Sequence, residues 1–146
     1  MTITCQKENK FSCYLDCLES FFKDAGLPIT RQMIICDFPM ECHKGLNNEG
    51  EFTFTEGNNQ KLACKYRINV EWPPKATKFE DLQEGHFIFA KNMQRQGCRH
   101  VVRFSNYESG DKINVMDPKK GSFDYWTAQD FKDFDCFVFN VSSPAN

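Results

Sequence analysis

A chain of 146 residues whose 40% hydrophobic share includes 15 Phe can bury one substantial core without staples, and its length points to a single domain over 1–146. Its 18 basic and 20 acidic residues leave a formal charge of -2, and no face or tail gathers enough Lys and Arg to displace the counterions of a nucleic acid, so general nucleic-acid binding is excluded. No apolar run approaches the roughly 20 residues that cross a bilayer, and Met1 to Lys7 lacks the charged-then-apolar layout of a secretory signal. The expectation is therefore a chain made in the cytoplasm, without membrane insertion, that either stays there or leaves by a route that reads no such signal.

In chain order, Ser12 is a candidate N-cap, and Tyr14, Leu18, Phe21, Phe22 and Ala25 recur at helical spacing until Gly26 and Pro28 stop them. This predicts a helix over 13–25 with Cys13 at its first position. Thr30 can cap a second helix over 31–36, which Pro39 ends. The stretch 41–59, rich in Gly, Asn and Glu, reads as loop with one strand at 51–55. A strand is expected over 63–70, closed by Trp72-Pro73-Pro74, and Thr77 with Glu80 forms a capping-box pair for a brief helix that Gly85 stops.

From Gly85 onward the hydrophobic period changes to that of strands. The runs 86–90, 98–104 and 112–116 are β-rich, with a turn at 108–111 between the last two and a solvated basic turn at Lys119-Lys120. Thr127 and Asp130 cap one more short helix ending near Asp133, ahead of a final strand over 136–141. Helices first and antiparallel strands second make an α+β domain of two lobes.

Eight cysteines are many for a chain without a secretory signal. Their even number would suit a disulfide framework, which the missing signal argues against. Zinc ligation finds no Cys-x-x-Cys, and Cys42-His43 is an adjacent pair poorly spaced for a shared ion, so no cofactor or metal is expected. Apart from Cys13, the cysteines read mostly as small buried hydrophobes, Cys17 among them one turn along the first helix.

Cys13 differs because the start of a helix, with its unpaired N–H groups and positive dipole end, favours a thiolate. A thiol nucleophile needs a neighbouring imidazole held in one tautomer by a third group, together with a donor for the oxyanion. If 98–104 and 112–116 pair about their turn, Asp117 lands near Val102, two residues from His100, on a shared face where the two side chains meet diagonally. Gln6, just upstream of Cys13, is the candidate oxyanion donor, with Asn9 as its substitute. His43 reads as surface loop and His86 as facing solvent or the lobe interface, which leaves His100, set among Val101, Val102 and Phe104, as the base.

Gln6…Cys13-Tyr14-Leu15-Asp16-Cys17-Leu18, Leu82 to Phe89, His100-Val101-Val102-Arg103-Phe104, Val115-Met116-Asp117-Pro118…Gly121 and Trp126 to Phe131 together resemble the bacteriocin-processing peptidases. These are papain-like cysteine peptidases that cut after double-glycine leaders. The resemblance implies a papain-like two-lobed fold, helices packed on an antiparallel sheet, with Cys13 as nucleophile, His100 as general base, Asp117 as orienting acid and Gln6 in the oxyanion hole. The chain departs from the family in the residues beside the nucleophile, Ser12 and Tyr14, and in a Gln6-to-Cys13 spacing one residue longer.

The reading is a cysteine peptidase acting on a peptide or isopeptide bond of a protein substrate through a thioester, in the setting of a bacterial effector. The same apparatus suits a glutamine deamidase or an acyltransferase. The rival of another class is a silent binding module that keeps the fold.

Overall fold

Helical spacing of apolar residues early in the chain and strand spacing later divide the computed structural model, which describes residues 1–5, 12–42, 51–95 and 98–144. Helix α1 (Cys13–Asp24) buries Leu15, Leu18 and Phe22 completely, and Gly26 follows it in the left-handed region at φ 73. Its start differs from expectation. The Ser12 hydroxyl caps no backbone amide and instead donates to Asp16 Oδ2 at 2.9 Å. Helix α2 (Arg31–Asp37) begins as expected, the Thr30 hydroxyl accepting from the Met33 amide at 3.2 Å.

The strands expected over 51–55 and 63–70 give way to a helix, α3 (Glu56–Tyr66). Thr55 caps it through the Asn58 amide, and Asn59, Leu62 and Tyr66 recur at i, i+3 and i+7 toward the core. The alternation after Ala63 is compatible with either period, and the cap decides for the helix. Arg67, left-handed at φ 55, ends α3, and only β1 (Asn69–Val70) remains of the expected strand. Ahead of the cap, Phe52 and Phe54 pack without strand pairing, their rings 5.5 and 5.0 Å from that of Tyr14.

The capping box at Thr77 is also absent: its hydroxyl donates to the Lys75 carbonyl at 3.2 Å, and a single 3-10 turn, Phe79–Asp81, takes the place of the helix. Beyond it come β2 (Phe87–Arg95), β3 (Cys98–Ser109), β4 (Lys112–Asp117), β5 (Ser122–Thr127) and β6 (Cys136–Phe139), which form one antiparallel sheet in the order β5-β4-β3-β2-β6. Strand β5 is an addition to the expected elements, because its exposed Phe123 and Tyr125 turn aromatics outward and invert the usual alternation. Between β5 and β6 lies α4 (Ala128–Asp133), with the predicted Thr127–Asp130 capping box formed in both directions. The last expected strand is divided at Asn140 into β6 and β7 (Val141–Ser142), which pairs with β1.

Both faces of the sheet are covered. On one, Leu15, Leu18, Phe22, Ile34 and Leu62 of the helices meet Phe87, Val101, Met116 and Phe139. On the other, Ile88, Val102, Phe104, Ile113 and Val115 lie with Leu82, Trp126 and Phe131. Each fully buried Leu, Ile or Phe contributes about 1.5–3 kcal/mol relative to exposure. The helical layer clamps α1 against β3, and this contact positions the candidate site side chains.

Candidate active site

Contacts between α1 and β3 occur in the same order along both elements. Cys13 meets His100, the Cys17 thiol donates to the Val101 carbonyl at 3.5 Å, and Ser20 and Asp24 bond the Arg103 guanidinium at 2.7 Å each. The helix therefore runs along the strand, and its first residue is delivered to the imidazole. This is the tertiary packing that no local signal in the sequence specified.

The β3–β4 register pairs Arg103 with Met116, so Asp117 falls level with Val102 as the hairpin reading predicted. Across that diagonal, His100 Nε2 lies 2.7 Å from Asp117 Oδ1, both groups buried. The Cys13 side chain is the second hydrogen-bond partner of the imidazole. Burial works against an imidazolium here. The hydrogen bond to Asp117, the hydrogen bond to Cys13 and the negative charge of both partners outweigh it, raising His100 to about 9.

Asp117 is held by its own turn: the Lys119 amide donates to Oδ1 at 3.0 Å and the Gly121 amide to the backbone carbonyl at 2.9 Å. Gly121 adopts φ 63, and a Cβ there would meet Cys5 Sγ at 2.8 Å, so any other residue is strained in this turn and must displace the Cys5 side chain.

Cys13 itself is 8% exposed. Cys17, fully buried, is pushed well above an ordinary thiol by burial first and by Cys13 second, which suits packing rather than attack. Cys42 and Cys136 are buried as expected and raised to about 12, chiefly by desolvation. Cys5, Cys36 and Cys64 are exposed, against expectation, because each sits at the solvent side of its segment; all seven of these cysteines are free thiols.

His86 stands apart from the site, accepting from the Gln83 amide at 3.1 Å, with its basicity lowered by partial burial. Gln6, Asn9 and His43 lie outside the described residues. Among the described residues, no three His, Cys, Asp or Glu side chains are grouped to hold a metal ion, and no helix is long and apolar enough to cross a membrane.

Two polar clusters around α1 escaped the sequence reading. Asp16, fully buried, receives Ser12 and pairs with Arg31; desolvation raises its carboxyl to about 6 although Arg31 and Ser12 pull the other way. At the far end, Arg103 bonds Ser20 and Asp24 and lies over the Phe87 ring, while Asp24 also receives the Thr2 amide and hydroxyl at 2.7 and 2.6 Å. The signal for both was a charge inside a buried run, between Leu15 and Cys17 and between Val102 and Phe104, where an ionised group requires a partner.

Three N-terminal helices are laid on one face of an antiparallel sheet in a papain-like α+β fold, which brings a cysteine at the first turn of the leading helix beside a His–Asp pair on adjacent strands. Among solved structures, the chain is similar to the peptidase domain of Streptococcus ComA, a bifunctional ABC transporter involved in a quorum-sensing pathway. The two superimpose with a TM-score of 0.65 over 97% of each chain at 11% identity, a likeness of fold. No protein-family model and no curated protein matches the chain.

Proposed function

We propose that the chain is a cysteine peptidase-type hydrolase that opens a peptide or isopeptide bond through Cys13, His100 and Asp117. The observation that carries this reading is the buried imidazole bonded to a carboxylate on one side and to a helix-start cysteine on the other. In this scheme the Cys13 thiolate attacks the scissile carbonyl, and the oxyanion forms beside the first backbone amide of α1, with Gln6 as the candidate second donor. His100 gives its proton to the leaving amine as the thioester forms, then takes a proton from the water that hydrolyses it, and Asp117 keeps the ring in one orientation throughout. Protein and peptide chains are the substrate class. The free thiols fit a reducing compartment, the cytosol of the producing cell or of a host cell that receives the protein as an effector.

The test is incubation with a mixed peptide library, followed by mass spectrometry against a Cys13→Ala control. New peptide termini that vanish in the control support the peptidase. Conversion of Gln to Glu without cleavage would replace it by the deamidase reading, and neither change would leave a silent module.

A further inference from the structure

The cluster around Asp16 has a geometry that packing alone does not require. One carboxylate receives the Ser12 hydroxyl on Oδ2 at 2.9 Å and Arg31 on Oδ1. The same Arg31 Nη1 also donates to the Cys5 carbonyl at 3.1 Å, and Thr4 Oγ1 donates to the Asp16 carbonyl at 2.7 Å. Residues 5 and 12 are thus both tied to Asp16, Ser12 directly and Cys5 through a guanidinium. Cys5 is also held from its other side, its Sγ packed against Gly121 in the turn that anchors Asp117.

The charge of Asp16 makes the arrangement informative. A carboxylate in the first turn of α1 interacts well with the helix dipole, but a second negative charge one turn from a nucleophilic sulfur opposes a thiolate there. Burial adds the cost of desolvating the ion, which shows in its elevated carboxyl. An Ala or Leu would fill the same place on the buried face at no such cost. What the carboxylate supplies is two acceptor oxygens at a fixed separation, joining the chain before residue 6 to the residue that immediately precedes Cys13.

We propose that Asp16 is a positioning residue for Cys13, acting with Arg31 and Ser12 to fix how the chain approaches the start of α1 and so the aim of the sulfur at His100 and at a substrate carbonyl. This inference rests on the reading of Cys13 as nucleophile. Positioning and charge predict opposite signs on substitution. Loss of the carboxylate removes a nearby negative charge and, by electrostatics alone, speeds attack by Cys13. Loss of positioning slows it, by about tenfold to a hundredfold for a displacement near 1 Å.

The experiment is the acylation of Cys13 by p-nitrophenyl acetate, followed as p-nitrophenol release and as acetyl retained on the Cys13 peptide after acid quench. It is run on full-length chains at a temperature where circular dichroism shows each variant folded. Asp16→Asn is expected to slow acylation by about tenfold to a hundredfold. Arg31→Met is expected to slow it in the same direction and Arg31→Lys to recover part of the rate, because lysine keeps a cationic donor. Asp16→Asn combined with Ser12→Ala should be no slower than Asp16→Asn alone, since Ser12 acts through the same carboxylate.

An unchanged or faster rate in Asp16→Asn, with the wild type acylated readily at Cys13, would overturn the positioning role and leave the nucleophile assignment standing. A wild type that is not acylated at Cys13 would remove both. If Asp16→Asn does not fold, Arg31→Met and Arg31→Lys decide, because Arg31 is 16% exposed at its side chain and tolerates replacement better: equal rates in the two variants and wild type would refute the proposal.

Discussion

Replacing Asp117 by Asn removes the carboxylate that holds His100 while keeping a side chain of the same shape. In the folded protein His100 is raised to about 9 from an ordinary 6.5, although burial alone would lower it. A raised folded value means that its contribution to stability is fully present below pH 6.5 and is lost as pH rises through about 9, because the unfolded chain releases the proton first. Between pH 6.5 and 8 that loss amounts to at most about 2 kcal/mol for His100 taken alone, and the two chains are compared in a Cys13→Ala background, where no thiolate formed on folding offsets it.

In Asp117→Asn, burial regains the upper hand and the imidazole is neutral in the same window, so stability should stay flat or rise slightly from pH 6.5 to 8. The assay is urea denaturation followed by tryptophan fluorescence at closely spaced pH values. It stops at pH 8 because Cys17, Cys42 and Cys136, whose thiols are raised on burial, begin to lower stability once the unfolded thiols ionise at about 8.5. Equal slopes for Cys13→Ala and for Cys13→Ala combined with Asp117→Asn would refute the claim that Asp117 keeps His100 protonated.

Other predictions concern single positions. Cys13→Ala should abolish peptide cleavage while changing unfolding free energy by no more than about 1.5 kcal/mol, because a small side chain at a helix start leaves little cavity; a collapse in stability would make Cys13 a core residue. Gly121→Ala should destabilise by about 1–2 kcal/mol from the positive φ alone and also lower activity, as its Cβ pushes Cys5 and the turn behind Asp117. Arg67→Gly should stabilise by about 1 kcal/mol in the same urea assay, because the left-handed end of α3 suits glycine.

The site was more legible in the sequence than the lobe that supports it. His100 and Asp117 lie on a hairpin that the turn made legible, and their contact was anticipated, although the strands shift register twice, between Phe104 and Asn106 and between Tyr107 and Ser109, which the alternation does not encode. Cys13 was legible through the pattern of α1, although the expected Ser12 cap does not form: Ser12 sits at φ -105 and ψ 20 rather than in the extended region of a capping residue, and its hydroxyl donates to Asp16. Helix α3 was hidden by a segment that satisfies both periods, and the deciding bond, Thr55 to Asn58, is a single cap. Strand β5 was hidden because the sheet edge displays Phe123 and Tyr125 to solvent. The Asp16–Arg31 and Asp24–Arg103 pairs depend on contacts between separate elements, which no local pattern encodes.

The central claim, that Cys13 is activated by His100 and Asp117, is tested most directly by competitive alkylation with limiting iodoacetamide at pH 7, with every cysteine mapped by mass spectrometry. Accessibility alone places the exposed Cys5, Cys36 and Cys64 ahead of Cys13, which is 8% exposed. Activation reverses that order. The account predicts that Cys13 is modified first and that His100→Ala returns it to the slow group. Modification of the three exposed thiols ahead of Cys13 in the wild type would contradict it.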